Sequence, residues 1–369
     1  MRRWSCAPPI RRIEARAPNT GATRVKIPSR RARGDPAASA GADPRTRSGH
    51  GMFLASKTGS DAIAVAPRIQ QGPAMMPPEI SPRIISTIFP ATEPLLSTRF
   101  EEATSTLWIA LQSRFRRTHH LAADVLQRLR ELLDQVAENE LRWHGSGPEL
   151  PLHYAVLRSE HPACFSLGSD LEHLLECARK HDGGALRRYA MQSLDTLYLW
   201  ATAWNHGVTT ISLVQGRALG AGFEAALAAD YVIAEEGAEF GFPEILFGLF
   251  PCNGAMSLLG RRIGLAAAER MIRSGRMYSA AELLEMGVVD QVCPAARGDI
   301  AVREFIEEHA KRRNARLAVQ RARARMQPLD YAELATVVAD WVDVALQLGA
   351  DELRLLETLI RMQRTDFAH

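Results

Sequence analysis

Two glutamates carry the clearest chemical signal in the chain. Glu224 lies in Gly222-Phe223-Glu224-Ala225-Ala226-Leu227, and Glu244 follows 20 residues later in Gly241-Phe242-Pro243-Glu244-Ile245-Leu246-Phe247. A charged carboxylate among apolar neighbours is costly, so each must be paired, neutral or functional. One such glutamate alone reads best as a helix-terminus or salt-bridge residue. Two of them, with pKa values pushed apart, can serve as an acid and a base. Ahead of the first stand Gly216, Gly220 and Gly222, between a β-type run at 208–215 and a helix of small residues at 221–229. A glycine-rich strand-to-helix turn leaves backbone N–H groups free for an anion or an oxyanion.

Rival chemistries fit less well. The glycines read G-x-x-x-G-x-G rather than the dinucleotide pattern G-x-G-x-x-G, although Glu235 and Glu236 follow a strand at about the right distance. No Gly-Lys-Ser/Thr occurs, which excludes a P-loop. His119 and His120 are adjacent, and neither H-x-x-x-H nor H-E-x-x-H occurs, so no metal site and no cofactor are expected. The five cysteines (Cys6, Cys164, Cys177, Cys252, Cys293) form no C-x-x-C pair, which fits a reducing, cytoplasmic setting.

The elements that must position these residues alternate in type. Strands are predicted at 83–89, 104–112, 152–158, 208–215 and 230–234. Helices are predicted at 121–140, 170–180, 185–206, 254–273 and 279–286, and over most of 300–366. In the first helix Leu121, Val125, Leu129, Leu132 and Val136 share a face. Asp182-Gly183-Gly184 reads as a break between two helices. Strands separated by helices argue for an α/β fold.

The first eighty residues differ in kind. They hold 14 Lys+Arg against 5 Asp+Glu, 10 of the 20 prolines, and only Trp4 and Phe53 as aromatics. Such a segment buries too little apolar surface to offset its ordering entropy, so it is expected to be a disordered extension. The expected start of translation is Met52, Met75 or Met76, with an Arg-rich organellar leader as the alternative. The expected organisation is 1–80 extension, 81–299 core and 300–369 helical C-terminal region. The whole-chain charge of +3 therefore hides a mildly acidic folded part and gives no argument for nucleic acid. No run of 18 apolar residues exists, so no membrane span is expected. Residues 311–325 carry seven basic residues and no acidic one. They read first as a solvated helical face and second as a docking surface for an acidic carrier.

The stretch Gln215-Gly216-Arg217-Ala218-Leu219-Gly220-Ala221-Gly222-Phe223-Glu224, with Ala228-Ala229-Asp230, Phe240 to Glu244 and Gly248-Leu249-Phe250-Pro251, resembles the crotonase (enoyl-CoA hydratase/isomerase) superfamily. Cys164-Phe165-Ser166-Leu167-Gly168-Ser169-Asp170-Leu171 matches an earlier element, and the resemblance covers roughly 80–366. Within the superfamily the chain is most similar to the diffusible signal factor synthases. That likeness rests on Tyr154 to Ser159, Gly222 to Leu227, Pro328 to Leu334 and Trp341-Val342-Asp343. Ser169 departs from that group, which tends to have a second glycine there.

The resemblance implies a crotonase-like ββα spiral core. It implies an oxyanion hole on the turns bearing Gly168, Ser169, Leu219 and Ala221, with Glu224 and Glu244 as catalytic groups. Trp341 and Leu359 are expected in the acyl pocket, while the tail stripe Leu334, Val338, Ala345, Leu348, Leu353, Leu356 and Ile360 reads as core or subunit-interface packing. The implied reaction is dehydration and thioester cleavage of a medium-chain 3-hydroxyacyl carrier-protein thioester, giving a cis-2-unsaturated fatty-acid signal. The alternatives are an enoyl-CoA hydratase/isomerase of fatty-acid metabolism and an inactive crotonase-fold regulator. The expected partners are an acyl carrier protein or CoA thioester and further copies of the chain.

Overall fold

A computed structural model describes residues 95–112, 119–144 and 149–366. The expected strand at 83–89 and the extension 1–80 lie outside the described residues. The chain enters through β1 (Leu96–Glu101) and β2 (Thr106–Leu111), an antiparallel pair, followed by helix α1 (Ala123–Glu138). β3 (Arg142–Trp143) and β4 (Leu150–Pro151) form a small ribbon.

One motif then repeats three times. A strand joins a large sheet, a short strand joins a second sheet, and helical structure follows. The first turn is β5 (Tyr154–Ser159), β6 (Cys164–Ser166), α2 (Leu171–Lys180) and α3 (Gly183–His206). The second is β7 (Thr209–Val214), β8 (Arg217–Leu219) and α4 (Ala221–Leu227). The third is β9 (Tyr231–Glu235), β10 (Glu239–Gly241), a 3₁₀ segment at Pro243–Phe247, α5 (Ala255–Ile263) and α6 (Leu265–Ser274). β11 (Met277–Ser279), α7 (Ala280–Glu285) and β12 (Gln291–Cys293) complete the core. α8 (Gly298–Ala310), α9 (Arg313–Met326), α10 (Tyr331–Ala345) and α11 (Ala350–Asp366) form the tail.

The large sheet runs β1-β2-β5-β7-β9-β12 and the second β11-β10-β8-β6, parallel except at β1–β2 and β10–β11. This is the expected ββα spiral. All six residues of β2 and of β7 are buried, which is why both read as continuous apolar and β-branched runs instead of alternating.

Several sequence expectations shift in detail. Val125 is only partly buried on α1, and Leu126 and Leu133 take the core face with Leu129, Leu132 and Val136. The break between the two helices falls at His181–Asp182, and Gly183 and Gly184 already open α3, because the Asp182 side chain caps it by accepting from Ala185 N at 2.8 Å. The single helix expected over 254–273 splits at Gly264, whose φ of 80° ends α5.

The C-terminal end of α3 carries an unforeseen left-handed turn. Ala203, Trp204, Asn205 and His206 have φ of 41°, 50°, 59° and 57°. Each non-glycine residue in that region costs about 1–2 kcal/mol, so neighbouring contacts must hold the turn. Trp204 Nε1 donates to Leu133 O at 2.9 Å, Arg321 to His206 O at 3.2 Å and Arg313 to Gly207 O at 3.2 Å. The basic stretch 311–325 is thus largely used within the chain, since Arg323 also pairs with Asp230, and Lys311 and Arg316 with Glu308.

The tail helices close over the core. α10 packs on α3, and α11 on α2. They share one apolar cluster that includes Leu174, Leu186, Val338, Trp341 and Leu356. Charged pairs reinforce α11 on α2, Arg364 with Glu172 at 2.7 Å and Arg179 with Glu357. No helix among the described residues is long and apolar enough to cross a membrane.

Candidate active site

The two sequence-selected turns meet. Gly168 follows β6 with φ of 92°, and a Cβ there would stand 2.6 Å from Leu219 O and 3.1 Å from Ala221 N. Only glycine fits, and its absence of a side chain lets the two turns touch. The Gly168–Ser169 turn is tied down from outside. Leu121 N donates to Gly168 O at 2.8 Å. Tyr189 OH donates to Leu121 O at 2.8 Å and accepts from Asp170 N at 2.8 Å. Burial pushes the Tyr189 hydroxyl pKa up, so it stays a neutral donor. Asp170 caps α2 and pairs with His120, and although burial works the other way, the contacts with His120 and His173 N hold its carboxyl pKa down to about 2.

Gly168 N already donates to Ser166 Oγ at 3.2 Å. Ala221 is the first residue of α4, where backbone N–H groups lack intrahelical acceptors. Leu219 ends β8, and its neighbour Gly220 N bonds Gly241 O at 2.9 Å.

Glu224 is 1% exposed on α4, and Glu244 is half-buried on the 3₁₀ segment. Both line one cavity with Ser169, Leu219 and Gly220. Its volume of about 190 Å³ is many times the roughly 10–15 Å³ that a single water needs, so it is a ligand-sized space. Trp341, Leu359 and Met362 from the tail close one part of it, with Leu171 and Leu174 of α2. The structure therefore brings together the glutamates, the turns and both tail residues selected from sequence.

The two carboxyls have different surroundings. Glu224 Oε1 accepts from Asn253 N at 2.7 Å and Ala255 N at 3.0 Å, and Oε2 accepts from Asn253 Nδ2 at 3.2 Å. Burial raises its pKa to about 7 in spite of these donors. Glu244 Oε2 is buried without a hydrogen-bond partner. Burial first, and the nearby Glu224 charge second, raise the Glu244 pKa to about 8. Burial thus favours the protonated form of both carboxyls more than in an ordinary glutamate, and the three donors on Glu224 favour its anion. Cys252 lies beside both, and burial followed by the two carboxylates pushes its thiol well up, which keeps it protonated.

Sequence reasoning missed Asn253, Tyr189 and Arg217 as site components. Arg217 lines the cavity from β8 and was quoted only as part of a motif. Asn253 and Tyr189 act through the fold, 29 and 68 residues from the groups they bond, so no local pattern reports them. No cluster of three or more His, Cys, Asp or Glu able to hold a metal occurs among the described residues.

A family model described as enoyl-CoA hydratase/isomerase matches residues 151–341. The chain belongs to the enoyl-CoA hydratase/isomerase family. It is 34% identical over 197 residues to 2,3-dehydroadipyl-CoA hydratase of Escherichia coli (strain K12), covering 53% of this chain and 68% of that protein. It is 30% identical over 179 residues to enoyl-CoA isomerase/hydratase fer4 of Mycosarcoma maydis, covering 48% and 60%. Solved structures of the same fold include an enoyl-CoA hydratase/isomerase from Xanthobacter autotrophicus Py2, with TM-score 0.60, 22% identity and 75% and 96% coverage. The enoyl-CoA hydratase from Bacillus halodurans gives TM-score 0.59, 22% identity and 72% and 100% coverage. The matched residues 151–341 include both glutamates, which line one cavity.

Proposed function

We propose that the protein interconverts 2-enoyl and 3-hydroxyacyl thioesters of medium-chain fatty acids. The observation that carries this is the pair of carboxyls with raised pKa values facing one apolar cavity. Ser169 N–H and Ala221 N–H polarise the thioester carbonyl, which acidifies the α-carbon and stabilises the enolate. Losing one such donor typically costs about 2.7–4 kcal/mol of barrier. In hydration, ionised Glu224 takes a proton from the water attacking the β-carbon, and Glu244 delivers its proton to the α-carbon. Dehydration reverses both transfers. Such acid–base steps are each worth about 10²–10⁴-fold. The acyl chain runs toward Trp341 and Leu359.

A second reading keeps the same acyl site, lined by Trp341, Leu359 and Met362 of α10 and α11, and changes the carrier. In that reading the thioester is carried by acyl carrier protein, and water also cleaves it, releasing a free 2-unsaturated acid of the diffusible-signal type. Incubation with 3-hydroxyacyl thioesters of CoA and of acyl carrier protein, followed by mass spectrometry, tests both. Enoyl thioester as sole product supports the first reading, and free enoic acid the second. Absence of either product rejects both and favours a catalytically idle regulator.

We further propose 81–299 as the catalytic core, 300–369 as the closing helical region, and self-association of the chain. Leu246, Leu265, Val319 and Met326 are exposed apolar side chains that a second copy would cover. Sedimentation showing only a monomer at micromolar concentration would remove that last inference.

A further inference from the structure

We infer that Asn253 is a positioning residue that holds Glu224 as the ionised member of the pair; this rests on Glu224 and Glu244 being the acid–base pair. Asn253 is 3% exposed and lies in the loop between the 3₁₀ segment and α5. Its backbone N–H and that of Ala255 hold Glu224 Oε1, while its Nδ2 reaches Oε2. Three donors around one carboxyl group suit the anion, because each hydrogen bond stabilises the negative charge more than the neutral acid. Among the described residues no comparable set surrounds Glu244, whose Oε2 has no hydrogen-bond partner there.

The amide's other end sharpens the point. Asn253 Oδ1 is buried without a partner. Turning the amide over would set Oδ1 against Glu224 Oε2, an arrangement that is favourable only when Glu224 carries the proton. The amide's direction and the proton's position are therefore linked. Asn253 does not line the cavity, so it acts through Glu224 and not on substrate.

The other ionisable groups around Glu224 do not replace this contact. Glu244 from the 3₁₀ segment and Cys252 from the adjoining loop face it, and Arg217 of β8 lines the same cavity. Cys164 of β6 donates to Arg217 O. On β9, Glu235 accepts from Gly298 N, and Tyr231 is packed against Phe305 and His309. Arg261 and Arg262 of α5 line a separate cleft with Asp230 and Arg323.

The test is the pH profile of kcat/KM for an enoyl-CoA in Asn253→Leu, which keeps the volume and the backbone donor but loses the amide. A hydrogen bond to a charged group shifts a pKa by about one to two units, so the ascending limb should move up by that much. Activity at pH 6 should then fall at least tenfold by the same shift. Asn253→Ser, which retains a short donor, should lie between wild type and the leucine variant, and it carries the test if Asn253→Leu melts early. A loss that is equal at all pH values, or an unmoved profile, overturns the inference. Glu224→Gln separates the two levels. If it stays active, the paired-carboxylate reading itself fails; if it is dead while Asn253→Leu keeps the wild-type profile, only the role of Asn253 fails.

Discussion

Glu244 Oε1 rests against Gly220, so closely that a Cβ added to the glycine would stand 2.3 Å from that oxygen. The turn that opens α4 and the second carboxyl are therefore matched parts, and Gly220 is also held at φ of 50°. Gly220→Ala must either displace Glu244 or distort the turn. We expect kcat to drop by about a hundredfold or more, the size of one misplaced catalytic group. Turnover close to wild type would show that Glu244 has no fixed place in the reaction.

Glu224→Gln and Glu244→Gln should each abolish detectable turnover while the protein remains folded. An amide matches the volume but can neither accept nor supply the proton, and each step is worth about 10²–10⁴-fold. Circular dichroism alongside the assay checks the fold. Near-normal turnover in both variants would refute paired acid–base work, and unfolding would make the glutamates structural.

Stability should depend on pH in a definite direction. Both carboxyls titrate well above the ordinary 4.5, at about 7 for Glu224 and about 8 for Glu244. The folded state thus binds more protons than the unfolded chain in that window. Their contribution is fully present below about pH 4.5 and is lost as pH rises through 7–8. Glu244→Gln removes the ionisable group, so its Tm should fall less than wild type between pH 6 and pH 9. Parallel melting curves would mean that Glu244 is not desolvated in the native state.

Trp341 is 4% exposed and belongs to both the tail core and the cavity wall. Trp341→Ala should lower kcat/KM by roughly tenfold or more for the preferred chain, since two or three methylenes lose contact at about 0.8 kcal/mol each. Short acyl groups that never reach the indole should be little affected. A thermal melt accompanies the assay, because truncating a buried Trp costs about 3–5 kcal/mol of stability. Equal losses at all chain lengths would assign Trp341 to packing alone.

Where the sequence was readable, one physical rule dominated. Continuous apolar runs marked β2, β5 and β7, and the 20-residue interval from Glu224 to Glu244 follows from the path through β9 and β10 that returns the chain to the same cavity. The second sheet was invisible. Its strands are three residues long, too short to show a period, and β8 and β6 are recognised only by their pairing. The left-handed turn at Ala203–His206 carries no glycine or proline signal, because distant partners such as Leu133, Arg313 and Arg321 hold it. Asn253 and Tyr189 escaped for the same reason. Side chains that tune a site from outside it are specified by tertiary contact, not by local spacing.

The central claim is that Glu224 activates a water against the β-carbon of an enoyl thioester. It is tested most directly by supplying a medium-chain 2-enoyl-CoA in heavy-oxygen water and locating the label by mass spectrometry, with Glu224→Gln as control. One heavy oxygen on carbon 3 of an intact thioester, absent with Glu224→Gln, is the expected result. Label only in a released carboxylate, or equal labelling at carbon 3 by the Glu224→Gln protein, would contradict it.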